Sequence, residues 1–485
     1  MSKAARNRAA YEEKQRMKRE REEFAAKKAK VRKITAIVTV SLIAAFILTL
    51  VIGVGVYNHR MNSGNYLRSE VAASSKNIDV NGAMMNYYYN DVLNSFVDYY
   101  GSYVQYYGFD PTGSAKGQEI SDGQSWFDYF MSGAKTNVTG YLALNEAAMA
   151  EGISLSDEEI EALGTRVSGI DTGLYGRGVN SGDILDSKLI EALAFKYQAA
   201  KQEEFEPTDA EIAERYSEDP RKYQSVGYIE YSFDWSDGNM SRNDAVVASE
   251  RLAAAKDRAA FESIITELLK AGSSDLSDDS IKSHIESFTK SGQLYSENEL
   301  SEWAFAAKVG ETKIITDEDN STTKVYMLTE EAARDESRTV SVRHILFTAD
   351  KYGSTEKALA KAEEVLAEFN AGDMTPKSFG VLALAYTEDE NTCYNGGAYK
   401  DLAEGITITS FNDWCFFGTR KAGDCEIIET DNGIHIVYFE SEGPENWKAS
   451  VANDIVNEHF TELDTELLDK YPVSFDDILI AQIPG

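Results

Sequence analysis

Two of the five histidines in this 485-residue chain lie in runs that are typical of buried β-strands. His344 lies in VRHIL, and His435 lies in GIHIVYF. The chemistry open to two strand imidazoles is the placement of a proton, since the partner of one ring nitrogen decides whether the other donates or accepts. A single strand histidine is usually structural, so a functional interpretation requires evidence that the two belong together.

The three cysteines indicate less chemistry than the histidines do. Cys393, Cys415 and Cys425 all lie late in the chain, and no CxxC motif or Cys/His spacing indicates a metal site. An oxidising compartment would permit one disulfide among them and leave one thiol over. We interpret all three as small buried apolar side chains.

The strands that carry the histidines belong to an internal repeat. Residues 300–328 match residues 411–439, and upstream VGYIEYSF at 226–233 resembles VRHILFTA at 342–349. The aligned pairs in the longer match are Trp303 with Trp414, Phe305 with Phe416, and Gly310 with Gly423. We therefore predict two homologous α/β units in tandem.

The two copies differ at the histidine positions. Tyr228 stands in the first copy where His344 stands in the second, and Tyr326 stands where His435 stands. Both imidazoles are therefore missing from one copy and present in the other. Since the first copy keeps its strands without them, the fold does not require imidazole, and the pair is a candidate for function.

Residues 80–215 are predicted to be mostly helical. Apolar residues recur there near the 3.6-residue period of an α-helix. Two capping boxes mark helix starts, Ser156 with Glu159 and Thr208 with Glu211. This region is therefore distinct from the strand-containing units that follow it.

A stripe of tyrosines lies in the first of these helices. Eight tyrosines occur between Tyr87 and Tyr107. They form either an ordinary amphipathic core face or a groove for unfolded polypeptide, because tyrosine combines contact area with a polar tip. The sequence favours the core interpretation and leaves the second open.

A basic segment precedes a long apolar run at the start of the chain. Residues 1–33 hold thirteen Lys and Arg against five Glu, and residues 34–57 contain no charged side chain. At about 1.5 Å per residue the run spans about 36 Å, enough to cross a hydrocarbon core of about 30 Å. The positive-inside rule then places residues 1–33 in the cytoplasm and the rest outside.

A cleaved signal peptide is the alternative to this membrane anchor. Its apolar region is normally about 7 to 15 residues long, shorter than the run seen here. No cysteine precedes Cys393, so the lipid attachment of a lipoprotein is not expected. We therefore prefer a retained single-pass anchor.

The formal net charge of −33 limits the classes of partner. The first 33 residues carry +8, so the remaining chain carries −41. An acidic body of this size repels phosphates, which argues against nucleic-acid binding. The sequence has no calcium loop of the DxDxDG type, and we expect no metal and no cofactor.

In combination, these features resemble the parvulin family of peptidyl-prolyl cis-trans isomerases over about residues 339–441. The matching pieces, in chain order, are VRHIL, FGVLALAYTEDENTCYNGG, GITITSFNDWCFF and TDNGIHIVYF. Each piece is weak alone, and their order and spacing make the resemblance specific. With the anchor, the helical region and the repeat, the chain is similar to SurA-like and PrsA-like foldases of the bacterial cell exterior.

The resemblance implies the residues of a catalytic site. Parvulins place two histidines on adjacent central strands, hydrogen-bonded beneath the site, and these would be His344 and His435. The residue that faces the substrate amide is cysteine or aspartate in the family, and counting from Phe379 it is Asp389. Phe411 matches the aromatic floor of the proline pocket.

The substrate pocket departs from the family pattern. Tyr399 stands where leucine is common, Thr407 where methionine is common, and Asn432 where serine is common, while the usual GGDLG is GGAYK here. We expect these three residues, together with Phe411 and Leu346, to bind substrate. The departures bear on catalytic efficiency rather than on the fold.

We therefore predict an α+β protein with one transmembrane helix, a helical SurA-like chaperone lobe and two tandem parvulin-like units, the first degenerate. The predicted parts, in chain order, are a basic cytoplasmic segment (1–33), the transmembrane helix (34–57), the helical lobe (58–224), the degenerate unit (225–335), the parvulin domain (336–442) and a C-terminal helix (443–485) that completes the lobe.

Two functions are compatible with this organisation, and a structural envelope protein that binds no client is a weaker third. The first is a membrane-anchored, extracytoplasmic prolyl isomerase that also binds unfolded chains, and the second is a non-catalytic holdase in which both units are scaffolds. Unfolded or partly folded secreted proteins are the expected partners in both cases. The joint presence of His344, Asp389, Phe411 and His435 favours the enzyme.

Overall fold

The computed structural model describes residues 3–121, 123–273 and 275–485. The chain divides into two compact units. The first comprises residues 1–138, 171–184 and 474–485, and the second comprises residues 139–170 and 185–473. The sequence-based prediction of an α+β protein is confirmed at this level, with helices and antiparallel sheets in the same chain.

The first compact unit begins with one long helix, α1 (Lys3–Asn62). Within it, Ser41–Arg60 is apolar and long enough to span a membrane, and none of that stretch is buried in the protein. This span overlaps the predicted transmembrane segment, and the predicted basic segment precedes it in the same helix, except for residues 1 and 2, which lie outside the described residues. Length and composition fit an anchor and a signal sequence equally.

The rest of the first unit is built around one helix whose first two turns are buried. Its elements are α2 (Asn65–Ser69), β1 (Val71–Ser74), β2 (Asp79–Asn81), α3 (Gly82–Tyr100), β3 (Glu119–Ser121), β4 (Gln124–Ser125) and the first half of α4 (Trp126–Glu151). Helix α3 starts where the Asn81 side chain accepts hydrogen bonds from the amides of Ala83 and Met84. Its first two turns are buried, and Tyr87, Tyr88 and Tyr89 lie in the core.

Three further helices follow, α5 (Asp157–Ser168), α6 (Ser181–Glu204) and α7 (Asp209–Glu218). The predicted capping boxes are confirmed. The Ser156 and Thr208 side chains each accept from the backbone amide three residues on, and the glutamate there reaches back to the cap. Each box satisfies two amides that a helix start would otherwise leave unpaired.

The first four-stranded sheet follows these helices. Its elements are β5 (Gln224–Asp234), α8 (Arg242–Ala253), α9 (Arg258–Gly272), α10 (Asp278–Phe288), β6 (Thr289–Leu294), α11 (Glu299–Ala304), β7 (Thr312–Asp317) and β8 (Thr322–Arg334). The strands are antiparallel in the order β6-β5-β8-β7. Helices α8 and α9 cover one face, where Ile229, Phe261 and Val325 are fully buried.

The second four-stranded sheet repeats this topology. Its elements are β9 (Arg338–Phe347), α12 (Ala349–Tyr352), α13 (Thr355–Ala371), α14 (Pro376–Tyr386), β10 (Ala398–Leu402), α15 (Thr409–Phe416), β11 (Cys425–Thr430) and β12 (Gly433–Glu445). The strands are antiparallel in the order β10-β9-β12-β11, so the two central strands are β9 and β12. The first and last strands of the unit therefore meet in the middle of the sheet.

The two sheets also share their strand register. In the second sheet, His435 pairs with the residue two positions after His344. In the first sheet, Tyr326 pairs with the residue two positions after Tyr228. The two tyrosines therefore occupy the positions of the two histidines.

The alternation of side chains along β9 and β12 separates two cores. Ile345, Phe347 and Ile436 face α13 and α14 on one side of the sheet. Val342, Val437 and Phe439 face α15 on the other side, with Phe411 and Trp414. His344 and His435 also lie on the α15 side. Each is two positions along its strand from a residue on that side, Val342 for His344 and Val437 for His435.

The chain ends with α16 (Asn446–Lys470), β13 (Ser474–Phe475) and α17 (Asp477–Ile480). In the second unit, Leu467 of α16 packs with Ala147 of α4 and Tyr197 of α6. Trp447 at the start of α16 packs with Ile212 of α7. In the first unit, β13 pairs with β1, and β1 pairs with β2.

A glycine beside His344 gives a testable feature of the second sheet. Gly397 has φ of 75°, and a Cβ there would lie 2.2 Å from the His344 carbonyl oxygen. We expect Gly397→Ala to destabilise this sheet by at least about 2 kcal/mol, measured by urea unfolding of the whole chain.

Gly405→Ala is the matched control for this substitution. Gly405 has φ of 82° and nothing within 4 Å of the added methyl group. Gly405→Ala should therefore lower the free energy of unfolding only by the cost of a left-handed backbone conformation, about 1 kcal/mol. Equal losses for the two variants would contradict the close approach at Gly397.

Candidate active site

The two histidines meet in the middle of the second sheet. Because β9 and β12 are adjacent and antiparallel, His344 Nδ1 lies 3.2 Å from His435 Nδ1. The rings are close to parallel, with centroids 5.4 Å apart. Their side chains are 3% and 4% exposed, so water does not compete for this hydrogen bond.

A carboxylate approaches the outer side of the His344 ring. Asp389 lies three residues after the end of α14, and its Oδ2 is 2.8 Å from His344 Nε2. The Thr392 hydroxyl donates to the same Oδ2 at 2.6 Å. The Asn391 amide reaches Oδ1 at 3.2 Å, so both carboxylate oxygens have partners within the segment.

Two aromatic rings enclose the histidine pair. The Tyr399 ring stacks on the His344 ring with centroids 5.0 Å apart. The Phe411 ring stands nearly perpendicular to the rings of His344 and Tyr399, at 5.7 Å and 6.1 Å. Phe411 is 2% exposed, whereas Tyr399 is partly exposed.

The sequence of this region matches a known family. The family model described as the PPIC-type PPIASE domain matches residues 325–442. This part of the chain is a parvulin domain. It covers about a quarter of the sequence and includes His344, Asp389 and His435.

Solved structures of foldases and chaperones also match the chain, at low identity and low TM-score. PrsA from Bacillus anthracis matches with 13% identity and a TM-score of 0.20 over 49% of this chain and 91% of that one. PrsA from Bacillus subtilis matches with 17% identity and a TM-score of 0.20 over 60% and 88%. A SurA-like chaperone of Campylobacter jejuni matches with 16% identity and a TM-score of 0.19 over 67% and 97%. A search of curated proteins found no match.

The hydrogen-bond directions in the parvulin domain form one consistent chain. An ionised Asp389 only accepts, so His344 donates from Nε2 and is left with an accepting Nδ1. His435 then donates from Nδ1, and its Nε2 accepts from the Thr430 hydroxyl at 3.0 Å. These directions are assigned from the pattern of partners. Neutral rings therefore satisfy the three bonds from Thr430 to Asp389, with the single Thr430 hydroxyl proton given to His435 Nε2 at 3.0 Å rather than to the Gly433 carbonyl at 3.2 Å.

The pKa values of the end groups agree with this assignment. Burial alone would raise the pKa of Asp389, but hydrogen bonds from His344 and Thr392 outweigh it and hold the pKa well below the usual range. Burial, with the neighbouring His344, lowers the pKa of His435 to about 4. At neutral pH the parvulin site therefore has a charged carboxylate at one end and a neutral imidazole at the other.

The structure brings together five of the eight predicted site residues. These are His344, His435, Asp389, Tyr399 and Phe411. The other three lie nearby in the fold without a hydrogen bond or ring contact to that group among the described residues.

The remaining three residues have different settings. The Leu346 backbone amide donates to the Thr387 hydroxyl, and the side chain is partly buried. Asn432 is exposed in the turn between β11 and β12. The Thr407 hydroxyl is buried without a hydrogen-bond partner among the described residues. Their assignment to the substrate pocket stays a prediction.

Sequence reasoning missed two threonines that complete the hydrogen-bond chain. Thr392 binds Asp389 and lies 3.1 Å from His344 Nε2, and Thr430 binds His435. Both lie inside the quoted motifs, Thr392 in the loop after α14 and Thr430 at the end of β11, but the sequence pattern does not show where either hydroxyl points. The three cysteines are free, and Cys393 and Cys415 are buried.

We expect an NMR titration of histidine-labelled chain to place the His435 midpoint near pH 4. Since this is below the unfolded value of about 6.5, the unfolded state binds more protons between pH 6.5 and 4. The neutral His435 ring therefore contributes about 3 kcal/mol to the free energy of unfolding above pH 6.5, and this contribution is lost as the pH falls to 4.

His435→Phe should reduce the loss of unfolding free energy between pH 6.5 and 4. His284→Gln, at an exposed position, should leave that loss unchanged. A His435 midpoint at or above 6.5 would contradict the assignment of a buried, neutral ring.

Proposed function

We propose that the chain is a membrane-anchored, extracytoplasmic foldase whose parvulin domain catalyses cis-trans isomerisation of X-Pro bonds in exported proteins. The observation that carries this proposal is the continuous chain of hydrogen bonds from Thr430 through both histidines to Asp389. A purely structural pair of histidines would not need an ionised carboxylate at its outer end.

Prolyl isomerisation needs no nucleophile and no proton transfer. The planar amide has partial double-bond character, with a barrier of about 18 to 20 kcal/mol to rotation. Resonance places partial negative charge on the carbonyl oxygen, and twisting the bond removes that charge. A site accelerates the reaction by binding the twisted amide better than either planar form.

Asp389 supplies a fixed negative charge for this purpose. Its depressed pKa keeps the carboxylate ionised at neutral pH. A carboxylate next to the substrate carbonyl oxygen disfavours the planar amide, whose oxygen is more negative, relative to the twisted one. Lowering the barrier by about 4 kcal/mol in this way corresponds to about a thousandfold acceleration.

The histidines and the aromatic residues hold the carboxylate and the proline in place. His344 fixes Asp389 by its Nε2 hydrogen, and His435 fixes the tautomer of His344. Tyr399 and Phe411 provide the apolar walls for the proline ring. Asp389 touches the reacting amide in this proposal, and the two histidines position it.

The first four-stranded unit is the scaffold in this proposal. Tyr228 and Tyr326 fill the histidine positions, with ring centroids 5.5 Å apart in an edge-on contact. Burial, with nearby Glu230, raises the pKa of Tyr326, so its phenol stays neutral. A pair of neutral phenols cannot take over the role of the imidazole pair at neutral pH.

The location of the proposed foldase rests on α1. Its apolar span, Ser41–Arg60, follows a segment rich in Lys and Arg. By the positive-inside rule the short basic segment stays in the cytoplasm, and the chain that follows the apolar span lies outside, where exported proteins fold.

We expect Asp389→Asn to lower the kcat/KM for a proline-containing peptide about 10- to 100-fold, because it removes the fixed charge at nearly constant shape. His344→Ala should lower it by a similar factor. The measurement is NMR exchange spectroscopy of the peptide with the whole chain in detergent micelles.

Tyr326→Phe in the first four-stranded sheet is the matched control and should leave the rate unchanged. If the unmodified chain does not accelerate exchange, or if the two site variants match it, the enzyme proposal is wrong.

A holdase activity is favoured by a separate observation in the first compact unit. Of the tyrosine stripe, Tyr87–Tyr89 are buried, whereas Tyr99 and Tyr106 are 82% and 86% exposed and Tyr103 is 66% exposed. The exposed rings lie at the end of α3 and in the 3-10 helix Gly101–Tyr107. Contiguous exposed aromatic surface is a feature of protein-binding sites.

The charge around these tyrosines indicates which clients they would prefer. Residues 91–130 hold six acidic side chains and one lysine. Exposed tyrosine faces attract Lys and Arg by cation–π interactions, and the acidic surroundings add to that attraction. Basic, unfolded segments are therefore the clients that this surface favours.

We expect the triple variant Tyr99→Ser, Tyr103→Ser and Tyr106→Ser to bind an unfolded basic client about tenfold more weakly, because three exposed rings are lost. Binding is measured by fluorescence anisotropy, with suppression of client aggregation as a second readout.

Leu174→Ser is the control, since Leu174 is 58% exposed in the same unit but outside the tyrosine surface. Equal losses in this control and in the tyrosine variant would contradict a specific role for the tyrosines.

A further inference from the structure

The segment that carries Asp389 is held by residues from outside the parvulin domain. The segment runs from Thr387 to Tyr394, between α14 and β10, and it contains both Asp389 and Thr392. Helices α5 and α6 contact its two ends, and both helices lie outside the region matched by the family model. All of these contacts lie within the second compact unit.

Arg166 of α5 holds the front end of the segment. Its guanidinium donates to the Thr387 carbonyl at 2.8 Å and to the Leu384 carbonyl at 3.4 Å. These are among the carbonyls that the end of α14 leaves without helical partners. The cation also lies at the negative end of the helix dipole, where it is stabilised.

Thr387 connects the Arg166 contact to the backbone of Asp389 through its side-chain hydroxyl. Its hydroxyl accepts from the Leu346 amide at 3.0 Å and from the Asp389 amide at 3.3 Å. One residue therefore connects Arg166, the central strand β9 and the backbone of the carboxylate.

Glu191 of α6 holds the rear end of the segment. The Tyr394 hydroxyl donates to Glu191 Oε2, which also accepts from Lys188 Nζ at 3.0 Å. Glu191 is 4% exposed, and its other oxygen, Oε1, has no hydrogen-bond partner among the described residues. A buried carboxylate is costly unless its partners are in place, so this contact requires a defined position of Tyr394.

Apolar packing makes the junction rigid. Leu163 of α5 and Ala192 of α6 form one buried cluster with Leu384 and Ala385 of α14. The rings of Phe195 and Tyr394 stack with centroids 4.9 Å apart and an angle of 6°. Close packing of this kind resists sliding of the helices along the segment.

We propose that Arg166 and Glu191 are positioning residues that set the place of Asp389 in the site, so that the helices outside the parvulin domain complete it. The proposal rests on the proposed isomerase function for its kinetic consequence and on geometry alone for its structural one. It implies that binding events on α5 or α6 alter the isomerase site, and that the parvulin domain on its own has a misplaced carboxylate.

The test uses the whole chain with three substitutions at the junction. Tyr394→Phe deletes the hydroxyl and keeps the stacked ring, while Arg166→Met deletes the guanidinium and keeps the aliphatic stem. Arg166→Lys is the conservative rescue, since an ammonium can still donate to the Thr387 carbonyl. Glu206→Gln is the control, because it breaks the exposed ion pair between Lys400 of β10 and Glu206.

The first readout is the imidazole nitrogen resonances of His344, whose Nε2 donates to Asp389. We expect them to shift in Tyr394→Phe and Arg166→Met, to return in Arg166→Lys and to stay unchanged in Glu206→Gln. The second readout is isomerase kinetics, with kcat lowered about tenfold and KM within about twofold, because misplacement rather than substrate contact is affected.

The two readouts separate the possible failures. Unshifted His344 resonances in folded Tyr394→Phe and Arg166→Met would overturn the positioning proposal, whatever the kinetics. Shifted resonances in a chain without isomerase activity would support positioning and contradict the proposed function. Should Arg166→Met fail to fold, Tyr394→Phe and Arg166→Lys decide the question by the same resonances.

Discussion

The hydrogen bond between His344 Nδ1 and His435 Nδ1 is the interaction on which the site depends. It requires two central strands that are adjacent, antiparallel and in one register, because a shift of one residue would turn one ring to the opposite face of the sheet. It also requires burial, since water would otherwise satisfy both nitrogens. With the bond in place, one ring orients the other, and the ionised Asp389 lies at the outer end of the chain.

The first four-stranded unit shows what the sheet can do without this bond. Its strand order and register are those of the second four-stranded sheet, and Tyr228 and Tyr326 occupy the histidine positions. Packing of two aromatic rings is therefore enough to fill this part of the core. Imidazole adds a nitrogen on each side of the ring, and with it a directed hydrogen bond through the core.

The surroundings of the site extend beyond the domain that the family model matches. The segment with Asp389 is bounded by a guanidinium at Thr387 and a buried carboxylate at Tyr394. Both come from helices that precede the two sheets in sequence. A charged contact of this kind costs desolvation energy, which apolar side chains at the same positions would not. Its presence at the segment with Asp389 links the helical region to the chemistry of the parvulin domain.

The sequence by itself determined the features that depend on local patterns. Residue alternation indicated the strands, the capping boxes at Ser156 and Thr208 marked helix starts, and the order of motifs identified the parvulin region. These signals are readable because periodicity and caps act over a few residues.

The tertiary structure decided which side chains meet. It brought Thr392 and Thr430 to the histidines, it buried Phe411, and it divided the tyrosine stripe into three buried rings and a largely exposed remainder. It also interleaved the two compact units along the chain. A hydrogen bond requires two atoms within about 3 Å, and residues far apart in sequence, such as Thr392 and His344, reach that distance only when the whole core has packed.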